Sequence, residues 1–273
     1  MARTVTEKRR IFRDLHRSGC FVIPNPWDIG SARLLEGMGF AALASTSSGF
    51  AWTRGRPDNG VARDDVLAHL TELAAAVDVP INADFESGFA REPDEVAANV
   101  TRAIATGVAG LSIEDRAPDR GLFDRALAIE RIAAAHRAIA ASGEDVLLVA
   151  RTEGLLDDPQ AVSVAIDRLV AFAEAGADVL FAPGVTEKAD IAAMVRAVAP
   201  KPVNVLVLRP NMRVAEFAEL GVRRLSVGGG LARVAWAAVT ATAEALRQGD
   251  LSGLAQGLPA RQLNGMFATR PPA

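Results

Sequence analysis

The chain has 273 residues, half of them hydrophobic and 23% charged, with a formal net charge of −3. That length suits a single α/β barrel of about 250 residues and buries a core large enough to need no covalent staples. The lone cysteine, Cys20, excludes an internal disulfide framework and a cysteine-rich zinc site, and the near-neutral balance with 5% aromatics and no tyrosine excludes the basic, stacking surfaces of nucleic-acid binders.

Residues 1–19 are charged and lack the apolar region of a secretory signal, and no apolar run approaches the roughly 20 residues of a membrane span. A cytoplasmic enzyme without membrane contacts is expected. Past that stretch, short aliphatic runs alternate with longer Ala-rich amphipathic segments. Strands are predicted at Phe21–Ile23, Ala41–Ser45, Pro80–Ala83, Gly110–Ile113, Val146–Ala150, Asp178–Phe181, Val203–Val207 and Arg224–Val227. The intervening helices are predicted at Ile29–Met38, Arg63–Val77, Pro93–Thr106, Ala126–Ser142, Pro159–Ala175, Glu187–Val198, Arg213–Leu220 and Leu231–Arg247. Pro93 and Pro159 are placed in first helical turns, where a missing N–H costs nothing. Gly107, Gly176 and Gly221 each follow a helix and precede a strand, as left-handed C-caps do.

Eight strand–helix units without a linker or composition break read as one (β/α)₈ TIM barrel over residues 1–273, with 248–273 as a C-terminal tail. A doubly wound open sheet is the competing arrangement. In a barrel, chemistry sits at the C-terminal ends of the strands. There the sequence delivers the serine-rich turn Ser45–Phe50, then Asp84 and Glu86, Glu114 and Asp115, Arg151 and Glu153, Asn204, and the Gly228–Gly230 run.

Asp84, Glu86 and Glu114 offer only hard oxygen ligands, which suits Mg²⁺ or Mn²⁺; the alternative is a set of solvated loop charges. Arg151 emerges from a buried strand and can grip a carboxylate bidentately, or else pair structurally with Glu114 or Glu153. The serine turn is either an anion cradle or a helix cap, and the glycine run either an anion site or a tight turn. His16, His69 and His136 fall in helical patterns, Cys20 precedes the first strand, and no lysine ends a strand. Nucleophilic and Schiff-base catalysis are therefore disfavoured.

These residues resemble the isocitrate lyase/phosphoenolpyruvate mutase superfamily. The resemblance runs from Phe21–Asp28 to Arg223–Gly229 and is strongest in Pro80–Phe89, Gly110–Asp115 and Val149–Thr152. It implies a (β/α)₈ barrel whose C-terminal helix is exchanged between protomers of a homodimer or homotetramer. It further implies Mg²⁺ (or Mn²⁺) held around Asp84, Glu86 and Glu114, some through water, with Asp58 as a further aspartate of that shell. Ser48 and Gly49 match the turn that binds substrate carboxylate, Arg151 the arginine that contacts substrate, and Asn204 an asparagine near the distal anion. Arg151 and Glu114 are the expected catalytic residues.

The loop after the fourth strand departs from the family. Arg116–Phe123 contains neither the cysteine and histidine of the isocitrate and methylisocitrate lyases nor the lysine, asparagine and serine of the phosphonopyruvate branch. Glu86 stands where many members have aspartate, and Phe89 where tyrosine is common. The expected activity is metal-dependent C–C bond cleavage next to a 2-oxo or 2-hydroxy carboxylate, on a small carboxylate substrate, through an enolate. Phosphonate P–C chemistry and a non-catalytic barrel are the alternatives.

Overall fold

Eight parallel strands pair in the order β1-β8-β7-β6-β5-β4-β3-β2, with helices outside them, in a computed structural model that describes residues 2–117, 121–207 and 212–268. The chain opens on α1 (Val5–Leu15), β1 (Phe21–Ile23), α2 (Ile29–Gly37), β2 (Leu43–Ala44), α3 (Ser47–Thr53) and α4 (Arg63–Ala76). The middle holds β3 (Ile81–Asp84), α5 (Pro93–Ala105), β4 (Gly110–Glu114), α6 (Arg125–Ser142), β5 (Leu147–Arg151), α7 (Gly154–Asp157) and α8 (Val162–Glu174). It continues through β6 (Val179–Phe181), α9 (Lys188–Val198), β7 (Val203–Leu206), α10 (Val214–Glu219), β8 (Arg224–Ser226) and α11 (Gly230–Arg247) to α12 (Ala260–Phe267). This is a (β/α)₈ barrel rather than an open sheet.

The β1–β2 seam is where an open sheet would part. Ala44 N donates to Pro24 O across it at 3.1 Å. Beside it, buried Asn25 donates to Ser45 O at 2.9 Å and accepts from the Val227 and Gly228 amides at 2.9 and 2.8 Å. One amide side chain thus ties the ends of β1, β2 and β8 and satisfies three backbone groups that the short β2 leaves free.

Apart from half-buried Phe21 and Val22 of β1, the strands are largely buried on both faces, which explains their aliphatic character. Gly107, Gly176 and Gly221 have φ of +87°, +106° and +85°, the left-handed ends expected of them. Pro93 is the first residue of α5, as predicted. Pro159 is not in a first turn: α8 begins at Val162, because Asp158 takes the Gln160 amide on its side chain (3.0 Å) and the Ala161 amide on its carbonyl (3.0 Å) in an Asx turn first.

The charged N-terminal stretch forms α1, a helix that sequence reading left unassigned. Thr4 and Glu7 close a capping box at its start. It lies across the N-terminal end of the barrel with Phe12 fully buried. Lys8 donates to Ala74 O and Val77 O at 2.8 and 2.6 Å, and Arg9 to Ile104 O and Val108 O at 2.8 and 3.0 Å. Two buried cations therefore satisfy the carbonyls where α4 and α5 end.

At the other terminus, α11 buries only Ala232, and Val234 and Val239 are 69% and 59% exposed. Among the described residues, much of its apolar face lies uncovered. No helix of the described residues is long and apolar enough to cross a membrane.

Candidate active site

Side chains alternate in and out along a strand, so every second residue near a strand's C-terminal end looks into the barrel mouth. Asn82 and Asp84 of β3, Asn204 and Leu206 of β7, and Arg224 and Ser226 of β8 all do so, and they line a cavity of about 170 Å³. Ser45, Ser47, Ser48, Asp58, Ser112 and Arg151 complete most of its polar wall. An adjoining cavity of about 370 Å³ is lined by Glu86, Phe89, Arg91, Glu114 and Arg116.

The serine turn is a helix start. Thr46 caps α3, its Oγ1 accepting the Gly49 amide at 3.3 Å. The first free amide of that helix, Ser47 N–H, donates to Asp84 Oδ2 at 2.9 Å, and Asp84 N–H donates to Ser45 Oγ at 2.8 Å. Asp84 is thereby fixed by β2 and α3 together. Gly49 is absent from both cavity walls, and a Cβ there would meet Thr46 Cγ2 at 2.5 Å and Trp27 Cβ at 3.0 Å. Its glycine reflects close packing, while Ser48 faces the cavity.

Arg151 stands between the two cavities. Its Nη1 is 3.3 Å from both Asp84 Oδ1 and Glu114 Oε2, its Nε donates to Glu153, and its guanidinium lies 5.3 Å from the Phe181 ring centroid. Burial alone would lower its pKa, but the carboxylates of Glu114, Glu153 and Asp84 outweigh that and hold it permanently charged.

The acids outnumber this cation. Burial, then Asp84, Glu114 and Asp58, push Glu86 up to about 8. Glu114 also rises to about 8, through burial and the charges of Glu153, Asp84 and Asp58, against the pull of Arg151. Asp58 sits at the rim, raised by partial burial and by Asp84. Glu86 and Phe89 adopt φ of +48° and +56°, a left-handed conformation uncommon in side-chain-bearing residues. What stabilises this turn is Arg131, buried in α6, which donates to the carbonyls of Ser87, Ala90 and Arg91 and lies 4.0 Å over the Phe123 ring.

Of the predicted site residues, Asp84, Ser48, Arg151 and Asn204 share the inner cavity, and Glu86 and Glu114 face the adjoining one. Asp115, beside Glu114, is structural: it accepts from Thr152 Oγ1 (2.7 Å), Glu153 N (2.9 Å) and Arg168 Nη1 (3.1 Å). Sequence reading puts Asn25 and Ser226 at strand ends without a role and misses Asn82, Ser112 and Arg224. The period-2 rule applied downward from Asp84 would have found Asn82. Residues 118–120 of the departing loop lie outside those described.

The donor set suits a hard divalent cation. Among the described residues no three acidic, histidine or cysteine side chains converge to hold a metal unaided. A cation here would touch one or two carboxylates and reach the rest through water, the usual habit of Mg²⁺. Burial first, and neighbouring carboxylates after it, raise Glu86 and Glu114 to about 8, and a cation would offset the second of these.

A sequence profile of the phosphoenolpyruvate phosphomutase family matches residues 12–247. A solved structure from Burkholderia cenocepacia J2315, described as a lyase or mutase, superposes with a TM-score of 0.94 at 43% identity, over 97% of this chain and 98% of that one. A protein of Mycobacterium tuberculosis (strain CDC 1551 / Oshkosh) is 34% identical over 80% of this chain and 81% of its own length. The oxaloacetate decarboxylase of Paraburkholderia xenovorans (strain LB400) is 29% identical over 94% of this chain and 88% of its own. With the profile spanning most of the barrel and Asp84, Glu114 and Arg151 gathered at its mouth, the chain belongs to the phosphoenolpyruvate phosphomutase family, within the isocitrate lyase/phosphoenolpyruvate mutase superfamily of enzymes.

Proposed function

We propose that the chain is a divalent-cation-dependent lyase that cleaves a C–C bond next to the carbonyl of a small 2-oxo or 2-hydroxy carboxylate. The observation that carries this reading is the imbalance at the mouth: three carboxylates surround the Arg151 guanidinium, and Glu86 and Glu114 still titrate near 8. Asp84, Glu86 and Glu114, with Asp58 at the rim, would hold Mg²⁺ or Mn²⁺. When bound, that cation supplies Lewis-acid stabilisation of oxygen charge.

The chain's own groups do the rest. Arg151 offers its charge to the substrate carboxylate, and Ser48 offers a hydroxyl beside it. Glu114, 3.3 Å from Arg151, would be ionised with the cation in place and would fix the cation and the guanidinium relative to each other. The similarity to an oxaloacetate decarboxylase over 94% of the chain supports a small 2-oxo acid as substrate. The family profile favours one second reading, P–C bond chemistry on a phosphonate; turnover of phosphonopyruvate would establish it over the first. We also propose a homodimer or homotetramer in which the bare face of α11 lies on a neighbouring protomer.

Oxalate, a planar mimic of enolpyruvate, tests the first reading by calorimetry. It should bind with Mg²⁺ and fail to bind in EDTA, and Asp84→Ala should abolish the difference. Equal binding in EDTA would overturn the reading. A pyruvate-release screen over 2-oxo and 2-hydroxy di- and tricarboxylates then identifies the substrate.

A further inference from the structure

Arg224 is the first residue of β8, opposite Phe21 on β1 and Asn204 on β7. It is 3% exposed, yet its side chain lines the inner cavity. Its Nε donates to Asn204 Oδ1 at 2.9 Å and its Nη1 to Asn82 Oδ1 at 3.4 Å. Both acceptors are neutral amides. A guanidinium carries five N–H donors, so most of its donors remain free for another acceptor.

Among the described residues its charge has no counterpart. Burial is the only influence on it, lowering its pKa to about 9 with no carboxylate to restore it. The one titratable neighbour it affects, His16, is pushed down to about 3 by burial and by Arg224 itself, and stays neutral. Arg151 at the same cavity shows the contrast, with three carboxylates around it. A buried charge compensated only by neutral groups is costly, and a methionine or leucine would fill the same space at less cost.

We propose that Arg224 forms an anion subsite at the inner end of the cavity, where it takes the second carboxylate of a short dicarboxylic substrate. This rests on the proposed function, which seats the first carboxylate and the 2-oxo group at Arg151 and Asp84. Asn82 and Asp84 are two residues apart on β3, about 6.6 Å of strand rise. Arg224, in contact with Asn82, therefore lies one inward layer below Asp84, a separation that a four-carbon chain spans. At about 170 Å³ the cavity is smaller than the roughly 300–1,000 Å³ of drug-sized sites, which excludes nucleotides and coenzymes. Asn204 is a positioning residue: its Nδ2 donates to Ser226 Oγ at 2.9 Å, which turns its Oδ1 toward Arg224.

The test compares malate with 2-hydroxybutanoate, which carries a methyl where malate has its second carboxylate, and with succinate, which lacks the 2-hydroxyl. Binding is measured by calorimetry with Mg²⁺ on the wild type, Arg224→Gln and Arg224→Lys. Asn82→Asp provides a second route, because it gives Arg224 an internal counter-ion without removing it. Melting curves and near-UV circular dichroism establish that each variant is folded. The wild type should prefer malate by about tenfold or more, as a charge-assisted hydrogen-bonded pair predicts. Arg224→Gln and Asn82→Asp should erase that preference and leave 2-hydroxybutanoate binding unchanged, while Arg224→Lys keeps part of it. Equal affinity for the two acids in the wild type, or a preference that survives in Arg224→Gln, overturns the subsite. If neither hydroxy acid binds but succinate stabilises the wild type and not Arg224→Gln, the lyase reading fails and the subsite stands. If none of the three binds, both fail.

Discussion

Glu114 and Arg151 are register partners on the adjacent parallel strands β4 and β5, and their side chains meet at 3.3 Å. Parallel pairing places both at the C-terminal end of the barrel, and Asp84 of β3 joins them from the next strand over. The backbone ladder thus fixes the spacing of the charges. None of the three depends on a long loop to reach the others. Such a constellation is preorganised, which is the condition under which electrostatic stabilisation of a transition state is strong.

Arg151→Ala should cost both activity and stability. Removing one charge that stabilises a developing anion lowers turnover by about 10²–10³. Leaving Asp84 and Glu114 without their cation, while Glu153 keeps Arg116 at 3.5 Å, costs about 3–5 kcal/mol, a fall in Tm on the order of 10 °C. Adding Glu114→Gln to Arg151→Ala should recover part of that Tm but none of the activity. A double variant no more stable than Arg151→Ala would show that the two residues are not energetically coupled.

The stability of the protein in a chelator should fall as pH rises from about 6.5 to 8.5. Glu86 and Glu114 titrate near 8 in the folded chain, above their ordinary value of 4.5, so between those values the folded state binds more protons than the unfolded one. Stability then declines with pH, by linkage, until the folded-state pKa is passed. His16 and His69 act in the opposite sense, since burial lowers them to about 3 and 4, but their contribution is complete above 6.5. Melting curves with and without saturating Mg²⁺ check this: the metal should flatten the decline. A chelated protein whose Tm is level from 6.5 to 8.5 contradicts the charge imbalance.

The barrel was legible because the strands are short aliphatic runs and three helix–strand joins end on the left-handed Gly107, Gly176 and Gly221, local signals that survive in tertiary context. Asp84, Glu114 and Arg151 were legible because a charge that ends an apolar run stands out. Arg224 was not: it begins its strand, directly after Arg223, and only the barrel's closure onto β3 and β7 shows it to be interior. Gly49 packs closely on Thr46 and Trp27, and a glycine selected by packing looks the same in sequence as one selected by a ligand. Helix α1 was read as a charged terminus, since Lys8 and Arg9 look solvated until the ends of α4 and α5 are beneath them.

Isocitrate and 2-methylisocitrate should not be cleaved at rates typical of enzymes, about 1 s⁻¹ or more. The loop after β4 carries no thiol or imidazole, and the chain's lone cysteine, Cys20, directly precedes β1 at the opposite end of the barrel. Burial also pushes the Cys20 thiol up, away from the reactive thiolate. Coupled assays of glyoxylate and pyruvate formation check this directly.

The last prediction concerns assembly. The α11 helix carries Leu231, Val234, Trp236, Val239 and Leu246 at 36–69% exposure, and the tail adds exposed Leu251, Leu254, Leu258, Leu263 and Phe267. Exposed apolar residues gathered on one helix and the tail that follows it point to an interface. Between α3 and α11, Trp52, Val234 and Trp236 border an open groove of about 880 Å³, so the helix stands off the barrel that its position after β8 would have it cover. A second copy presents the same helix and the same groove, and a two-fold arrangement covers both faces at once. Light scattering at micromolar concentration should therefore give a multiple of 28.7 kDa. Val239→Glu should shift that mass toward the monomer, since a charge at the centre of an apolar contact cannot be solvated there. A wild-type mass of one chain across that concentration range would refute the assembly.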